Sequence, residues 1–385
     1  MSVDDERTEV GDLIGKEPTR PSRRRNREFK PWHRPRKQYV RRQQWRREVS
    51  YLIRDLKIKG DFRYLTLPGE DFLDVRDLQN SVLAEKALRM HFLGFDDSMN
   101  QSGIRGSRGD VAKFEARVAG AHPDSKVLPY DIRTIGSGTS IGWTQVSQFQ
   151  AFHAINLDLC DGLGGNSGAV EFPSYFDCLN WLFVHQRQAQ QEFVFFITMR
   201  IDGFAGTEIG ELLQTLVVNA ADKCQDFGAA LMEFDADFAA SRGLGEANVG
   251  SVGFVEWFVE RALSFGFEPR LSNVMTYRTG DGEGEADLMS LAFRVKPKPV
   301  LPVDATGVTS AFAGVKLTDL FCSISERSLL RLIGRTHVDD QLAADESEML
   351  ECITETAGLL RTAGYNPRAY EDWALQSVLS AVHQS

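Results

Sequence analysis

The chain has 385 residues, of which 42% are hydrophobic and 25% charged, and this composition is typical of a soluble globular protein. It contains no run of about 18 apolar residues, and its beginning is acidic and polar, so we expect neither a membrane-spanning helix nor a secretory signal. The five cysteines are dispersed without a C-x-x-C pair. This pattern argues against a disulfide framework or a zinc cluster and predicts a cytoplasmic protein.

The charge is distributed unevenly along the chain. Residues 16–47 contain fourteen Lys and Arg against two Glu, a local charge of +12, whereas the whole chain carries −10. The remainder therefore carries −22, and such a split between a basic arm and an acidic body calls for an explanation. Residues 1–15 offer little apolar surface to bury, so we predict a disordered acidic tip before the arm.

Aromatic residues are interleaved with the basic residues of the arm, which we place at 16–59. Arginine forks bind phosphates bidentately and aromatic rings stack on bases, so the arm is a candidate interface for RNA or DNA. The residues predicted to contact nucleic acid are Arg23, Arg24, Arg25, Trp32, Arg34, Arg36, Lys37, Arg41 and Arg42. Two alternatives stay open: the arm wraps around its own acidic body, or it docks on a partner protein.

A helix is predicted at the end of the arm, from about Gln38 to Lys57. Its apolar residues recur at helical spacing while most arginines fall on other faces, as in an amphipathic helix that docks on a folded body. Pro31 and Pro35 keep the preceding segment extended, and Gly60 ends the helix.

Strands and helices then alternate along the chain. Strands are predicted at 62–67, 90–95, 126–135, 154–159 and 193–200. Their alternation with helical stretches indicates a parallel sheet with right-handed crossovers. Two further strand-like runs, 271–279 and 287–295, are joined by a glycine-rich turn, so the last strand should enter antiparallel as part of a hairpin. The predicted fold class is α/β, with a doubly wound, mostly parallel sheet that ends in an antiparallel hairpin.

Five β–α units followed by a hairpin resemble the class I S-adenosylmethionine-dependent methyltransferases. The resemblance covers residues 60–296 and rests on the order of the elements more than on motifs. It implies a Rossmann-like domain that binds S-adenosylmethionine. A stiff proline-rich linker at 297–302 and a domain of three predicted helices at 303–385 follow.

Ligands of open α/β sheets bind outside the carboxyl ends of the strands. That rule nominates Pro68, Gly69, Asp96, Asp97, Asp131, Asp158 and Asp161, with Asp131 inside the predicted third strand. The resemblance implies roles for four of them. Asp96 would hold the ribose hydroxyls of the cofactor, Asp131 would contact the adenine amine, and Asp158 or Asp161 would orient the group that receives the methyl. A structural alternative for Asp96 and Asp97 is that they cap a following helix.

The turn after the first strand departs from the family pattern. Methyltransferases of this kind carry a Gly-x-Gly turn there, which lets the backbone approach the cofactor, whereas residues 67–71 read Leu-Pro-Gly-Glu-Asp. Glu70 and Asp71 would lie near the cofactor carboxylate, which is unfavourable unless they point away or bind its ammonium group. Two hypotheses follow. One is a nucleic-acid-associated protein with an atypical methyltransferase activity. The other is a catalytically inactive scaffold that docks partner proteins through its arm and C-terminal helices.

Overall fold

The structure, a computed structural model, describes residues 28–97, 120–159, 162–163, 173–280, 284–298 and 317–382. Some predicted features lie outside these ranges. They are the acidic tip, most of the proline-rich linker, Arg23, Arg24, Arg25 and Asp161.

Within the described residues, an eight-stranded sheet forms the centre of the molecule. Its strands are β1 Asp61–Thr66, β2 Arg89–Phe95, β3 Lys126–Leu128, β4 Ala154–Asp158, β5 Phe193–Arg200, β6 Phe267–Tyr277, β7 Leu288–Pro297 and β8 Thr336–His337. They lie in the order β3-β2-β1-β4-β5-β7-β6-β8. β7 is antiparallel to both neighbours, and the other pairs are parallel. The predicted fold class is confirmed.

Helices cover both faces of this sheet. They are α1 Pro35–Val40, α2 Arg47–Leu56, α3 Leu73–Leu78, α4 Ile141–Ser147, α5 Tyr175–Gln186, α6 Glu208–Lys223, α7 Gln225–Phe234, α8 Ala236–Ser241, α9 Glu246–Asn248, α10 Phe254–Ser264, α11 Leu317–Ile333, α12 Val338–Ala344, α13 Glu346–Thr362 and α14 Pro367–Val382. In the described part of the chain, no helix has the length and apolar character needed to cross a membrane.

The basic arm continues into a helix over residues 35–56, which we call the N-terminal helix. It consists of α1, the π-helical segment Arg41–Arg46 and α2. It begins at Pro35 rather than near Gln38, because a proline at the first helical position gives up no intrahelical hydrogen bond. Four of its apolar side chains are fully buried: Val40, Trp45, Val49 and Leu52.

Alternate residues of β4 face two different cores. Ile155 and Leu157 belong to the larger core, which includes residues of α5, α6 and α10, whereas Ala154 belongs to the core that the N-terminal helix covers. Because side chains alternate along a strand, Asp158 lies on the same face as Ala154. The end of β4 is thereby directed toward the N-terminal helix.

The third strand is shorter than predicted. β3 ends at Leu128, and the residues expected to extend it form a turn and a 3₁₀ helix, Ile132–Gly136. Pro129 cannot donate a ladder hydrogen bond, and the side chain of Asp131 accepts one from the backbone N–H of Arg133 at 2.7 Å. Asp131 therefore follows the strand as a helix cap instead of lying inside it.

Cys224 and Cys322 form a disulfide bond. Cys224 lies between α6 and α7, and Cys322 lies on α11, so the bond ties the C-terminal segment to the helices of the sheet domain. The sequence pattern argues against a disulfide framework and does not predict this single bond. The two cysteines are 98 residues apart, so no local spacing reveals the contact. Cys178 and Cys352 are free and buried.

The segment after the proline-rich linker packs on the sheet. β8 pairs with β6, and α11 packs against α7, α10 and β6. The hydroxyl of Ser325 on α11 donates to the buried carboxylate of Glu256 on α10 at 2.7 Å. α13 packs against α1 and α14, so the N-terminal helix contacts both the sheet and the C-terminal helices.

Candidate functional site

A pocket of about 440 Å³ opens at the carboxyl ends of β1, β2 and β4. It spans the point between β1 and β4 where the strand order reverses, which is where doubly wound sheets bind their ligands. Six predicted residues line it: Pro68, Gly69, Asp96, Asp97, Asp131 and Asp158. The structure thus brings together all the predicted cofactor-binding residues and one of the two predicted catalytic residues.

The turn after β1 leaves open space at the pocket. Gly69 has a φ of +57°, a left-handed conformation that favours glycine, and a Cβ added there would meet nothing within 4 Å. Pro68 packs closely on Gly94 of β2, because a Cβ on Gly94 would lie 3.0 Å from the Pro68 Cγ. A side chain at position 94 would therefore press on Val127 of β3 and on the turn that borders the pocket.

The two acids of this turn have different surroundings. Asp71 is 8% exposed, accepts a hydrogen bond from the Tyr365 hydroxyl at 2.8 Å and lies 3.4 Å from Nε2 of His33. Glu70 is exposed at the pocket. Glu70 and Asp71 are the two acids expected near a cofactor carboxylate. Of these, Asp71 is already hydrogen-bonded to Tyr365 of the C-terminal segment.

Asp96 and Asp97 follow β2 at the pocket. The pKa of Asp97 is raised, first because burial disfavours its charged form and then because Asp131 and Asp96 repel it. Asp131 is paired with Arg133, whose Nη2 lies 2.6 Å from its carboxylate. Asp97 thus lies among like charges, and a cation in the pocket would stabilise its ionised form. The residues after Asp97 lie outside the described ranges, so the helix-capping alternative stays a prediction.

Asp158 connects the pocket with the N-terminal helix. Nζ of Lys37 donates to Oδ1 of Asp158 at 2.7 Å and to the hydroxyl of Tyr277 at 3.2 Å. The Lys37 side chain is 5% exposed and that of Asp158 is 20% exposed. Burial disfavours the ammonium, but Asp158, Tyr277 and Asp74 together outweigh this effect and the pKa of Lys37 is raised. The two groups therefore form an ion pair beside the pocket.

Other basic residues of the N-terminal helix are also paired within the chain. The pairs are Arg36 with Asp339, Arg41 with Asp74, Arg42 with Glu351 and Arg46 with Asp77, at N···O distances from 2.5 to 3.1 Å. Of the residues predicted to contact nucleic acid, Lys37 and Arg41 are only 4% and 2% exposed, and their charged groups are engaged by Asp158 and Asp74 rather than presented to a phosphate. In its described part, the arm wraps around its own acidic body.

Trp32 is an exposed aromatic residue in the described part of the arm. It is 48% exposed and lines the pocket together with Lys30. It lies on a short 3₁₀ turn with the fully buried His33, whose carbonyl accepts a hydrogen bond from the Tyr370 hydroxyl at 2.6 Å. Arg34, also predicted to contact nucleic acid, lies over the Trp373 ring, 5.3 Å from its centroid. A firmly held turn therefore presents one aromatic ring at the pocket.

Some residues of the pocket were missed in the sequence, among them Lys30, Tyr130, Arg133 and Tyr175. Tyr130 and Arg133 flank Asp131, so applying the strand-end rule to neighbouring positions would have found them. Tyr175 begins α5, and the Arg133 guanidinium lies 5.3 Å from its ring centroid. Neither Tyr175 nor Lys30 has a local sequence pattern that places it here.

The fold and the pocket define a doubly wound α/β protein with a strand-end site. The chain belongs to the PP_RS20740-like family, whose model matches residues 26–375. Among solved structures, it is similar to a candidate class I S-adenosylmethionine-dependent methyltransferase from Listeria monocytogenes. The identity is 11%, the match covers 72% of this chain and 70% of that chain, and the TM-score is 0.34. No curated protein matches.

The pocket has several properties that suit S-adenosylmethionine. Its volume is within the range of small-molecule sites, and the space at Gly69 is open. Asp96 supplies acceptor-only oxygens that suit adjacent hydroxyls, and Asp97 lies where a cationic ligand would be favoured. The single glycine in the turn after β1 is the main departure from the pattern of the class I methyltransferases.

Proposed function

We propose that the strand-end pocket binds S-adenosylmethionine and that the protein transfers the methyl group to a nucleic-acid acceptor. The main support is that six residues chosen from strand ends line one pocket at the reversal of strand order. In this proposal Asp96 holds the ribose hydroxyls, while Pro68 and Gly69 leave room for the rest of the cofactor. Asp131 is a less direct contact, because Arg133 already occupies its carboxylate.

The charge of the pocket supports a cationic ligand. Its lining includes seven carboxylates and three basic side chains: Glu70, Asp71, Asp74, Asp96, Asp97, Asp131 and Asp158 against Lys30, Arg41 and Arg133. A sulfonium group would be attracted to this excess of negative charge. Asp97 would gain most, because its ionised form is disfavoured by burial and by neighbouring acids.

Methyl transfer depends mostly on the alignment of donor and acceptor, with little acid–base work. When bound, S-adenosylmethionine supplies an electrophilic methyl group. The chain must then hold the acceptor in line with it and keep water out. Asp158 is suited to the first task, because one of its oxygens is fixed by Lys37 and its side chain lines the pocket. Its other oxygen can accept a hydrogen bond from an N–H or O–H group of the acceptor.

The nucleic-acid part of the proposal depends on the pocket edge and on the arm before residue 28. The exposed Trp32 ring can stack on a base, and Lys30 can contact a phosphate. Arg23, Arg24 and Arg25 supply further positive charge close to these residues in the sequence. RNA and DNA share this chemistry, and parallel titrations with single strands of the same sequence distinguish them.

Titration calorimetry with S-adenosylmethionine tests the cofactor assignment. We expect the wild-type protein to bind and Asp96→Ala to lose binding, because the ribose hydroxyls lose their acceptor. Glu233→Ala is the matched control, since Glu233 is an exposed acid on α7 that does not line the pocket. Unchanged binding in Asp96→Ala would refute the role of Asp96. A wild-type protein that releases no heat, alone or with RNA or DNA, would refute the proposed function.

A second candidate function is a catalytically inactive scaffold. It is favoured by the Lys37–Asp158 ion pair, because the carboxylate expected to orient the acceptor is already partly occupied. Leu330 and Ile333 on α11 are exposed and could contribute to docking of a partner protein. Binding of S-adenosylmethionine without transfer of a labelled methyl group to RNA, DNA or protein would support this candidate.

A further inference from the structure

We propose that Lys37 is a positioning residue of the strand-end pocket, which holds the Asp158 carboxylate in a fixed orientation so that the docked N-terminal helix completes the site. The inference rests on the proposed function of the pocket. Lys37 lies 121 residues before Asp158 and outside the sheet domain. A residue of the arm would then contribute to the site through its contact with Asp158.

The geometry around Lys37 fixes both members of the pair. Its Nζ donates to one Asp158 oxygen and to Tyr277 on β6, and it lies 4.8 Å from the centroid of the Trp45 ring. A buried ammonium is stable only when it is paired and hydrogen-bonded. Asp158 therefore holds Lys37 in place, and Lys37 in turn restricts the Asp158 carboxylate.

The charged and titratable groups around Asp158 come from several elements. They are Lys37 on α1, Arg41 in the π-helical segment, Asp74 on α3, Tyr64 on β1 and Tyr277 on β6. Arg41 is engaged by Asp74, with Nε 2.9 Å from Oδ1. Lys37 is thus the cation that hydrogen-bonds to Asp158 among the described residues, and its removal would leave that half-buried carboxylate beside Asp74 without its hydrogen-bonded cation.

A second ion pair of the same helix provides a comparison. Arg46 contacts Asp77 at 2.5 Å, and the Asp77 side chain is only 2% exposed. Neither residue lines the pocket. If both residues only hold the helix on the body, substitutions at Lys37 and Arg46 should have the same effect on S-adenosylmethionine affinity. If Lys37 positions Asp158, only the substitution at Lys37 should change it.

The test is the pH dependence of S-adenosylmethionine affinity, measured by calorimetry on the full chain. A carboxylate without a counter-ion is neutralised more readily at low pH than a paired one, so the pocket of Lys37→Met should lose negative charge as the pH falls. Between about pH 8 and about pH 6, we expect the affinity of Lys37→Met to fall about tenfold more than that of the wild type. Lys37→Arg should show the same pH dependence of affinity as the wild type, and so should Arg46→Met.

Further variants separate the effect of the Lys37 charge from an effect on folding. Lys37→Gln removes the charge and keeps a hydrogen-bond donor on a side chain one bond shorter, so it should reproduce the Lys37→Met profile. It replaces Lys37→Met if that variant does not fold. Adding Asp158→Asn to either variant should remove the extra pH dependence. Profiles of Lys37→Gln and wild type that run parallel would overturn the inference and leave the cofactor proposal intact. A wild-type protein that does not bind S-adenosylmethionine would overturn both.

Discussion

The carboxylates that face the N-terminal helix and those that line the strand-end pocket come from neighbouring elements, but they have different partners. Asp74 and Asp77, both on α3, each face an arginine of the helix at 2.9 Å or less, and Asp74 also lines the pocket. Asp97, after β2, lies beside other acids, and its pKa is raised by burial and by Asp131 and Asp96. The first group is neutralised within the fold, whereas the second can gain from a cationic ligand.

Asp158, like Asp74, belongs to both groups. It ends β4 at the pocket, yet Lys37 of the N-terminal helix is its hydrogen-bond partner. The comparison teaches that the same residue type contributes to stability or to binding according to whether a cation of the chain reaches it. Arg36, Arg41, Arg42 and Arg46 are therefore better explained as a clamp on the acidic body than as a surface for phosphates.

The largest effect is expected where a helix-facing pair is broken. Arg41→Met leaves Asp74 buried without its partner, and loss of one member of a buried pair costs about 3 kcal/mol of the free energy of unfolding. Urea denaturation measures this change. Arg54→Met is the control, because Arg54 forms an exposed pair with Asp55 and should leave stability unchanged. Equal loss in both variants would contradict the distinction between buried and exposed pairs.

A smaller effect is expected at Glu256, a buried acid hydrogen-bonded to Ser325. Burial raises its pKa from 4.5 to about 7. Between these values the folded state binds more protons than the unfolded state, so stability present at low pH is lost as the pH rises. Glu256→Gln should therefore be more stable than wild type by on the order of 2 kcal/mol at about pH 8, and the difference should shrink at about pH 4.

Denaturation at the two pH values checks this prediction. Glu233→Gln, at an exposed position on α7, is the matched control and should show no pH-dependent gain. A constant difference between Glu256→Gln and wild type at both pH values would show that the titration of Glu256 does not contribute.

The smallest effect is expected from salt. Raising the ionic strength screens the exposed acids of the pocket, so the affinity for S-adenosylmethionine should fall by about two- to threefold. Asp97→Asn should reduce this salt dependence, because the variant lacks one of the attracting charges. Calorimetric titrations at low and high salt measure both effects. A salt dependence that is the same in wild type and Asp97→Asn would exclude an electrostatic contribution from Asp97.

The sheet could be predicted from the sequence because strands such as β5 are continuous apolar runs between helical stretches. The strand-end rule located Asp96 and Asp158 correctly at one pocket, since it depends only on the order of the elements. The strand prediction made β3 too long, because Pro129 and the capping side chain of Asp131 end the strand early. Turn chemistry overrode the apparent strand pattern there.

Contacts between distant segments could not be predicted from the sequence. The Lys37–Asp158 pair, the Cys224–Cys322 disulfide and the position of Trp32 at the pocket each join residues far apart in the chain. A basic arm rich in aromatics has the same composition whether it binds phosphates or its own body. The path of the N-terminal helix over the sheet determines whether each basic side chain pairs with an acid of the chain or is exposed to a phosphate.

The most direct test of the cofactor site is a crystal structure of the protein grown with S-adenosylmethionine. The ligand should occupy the strand-end pocket, with a ribose hydroxyl within hydrogen-bond distance of Asp96. Density for the ligand elsewhere, or an empty pocket at a concentration that saturates binding in solution, would contradict the assignment of this pocket as the functional site.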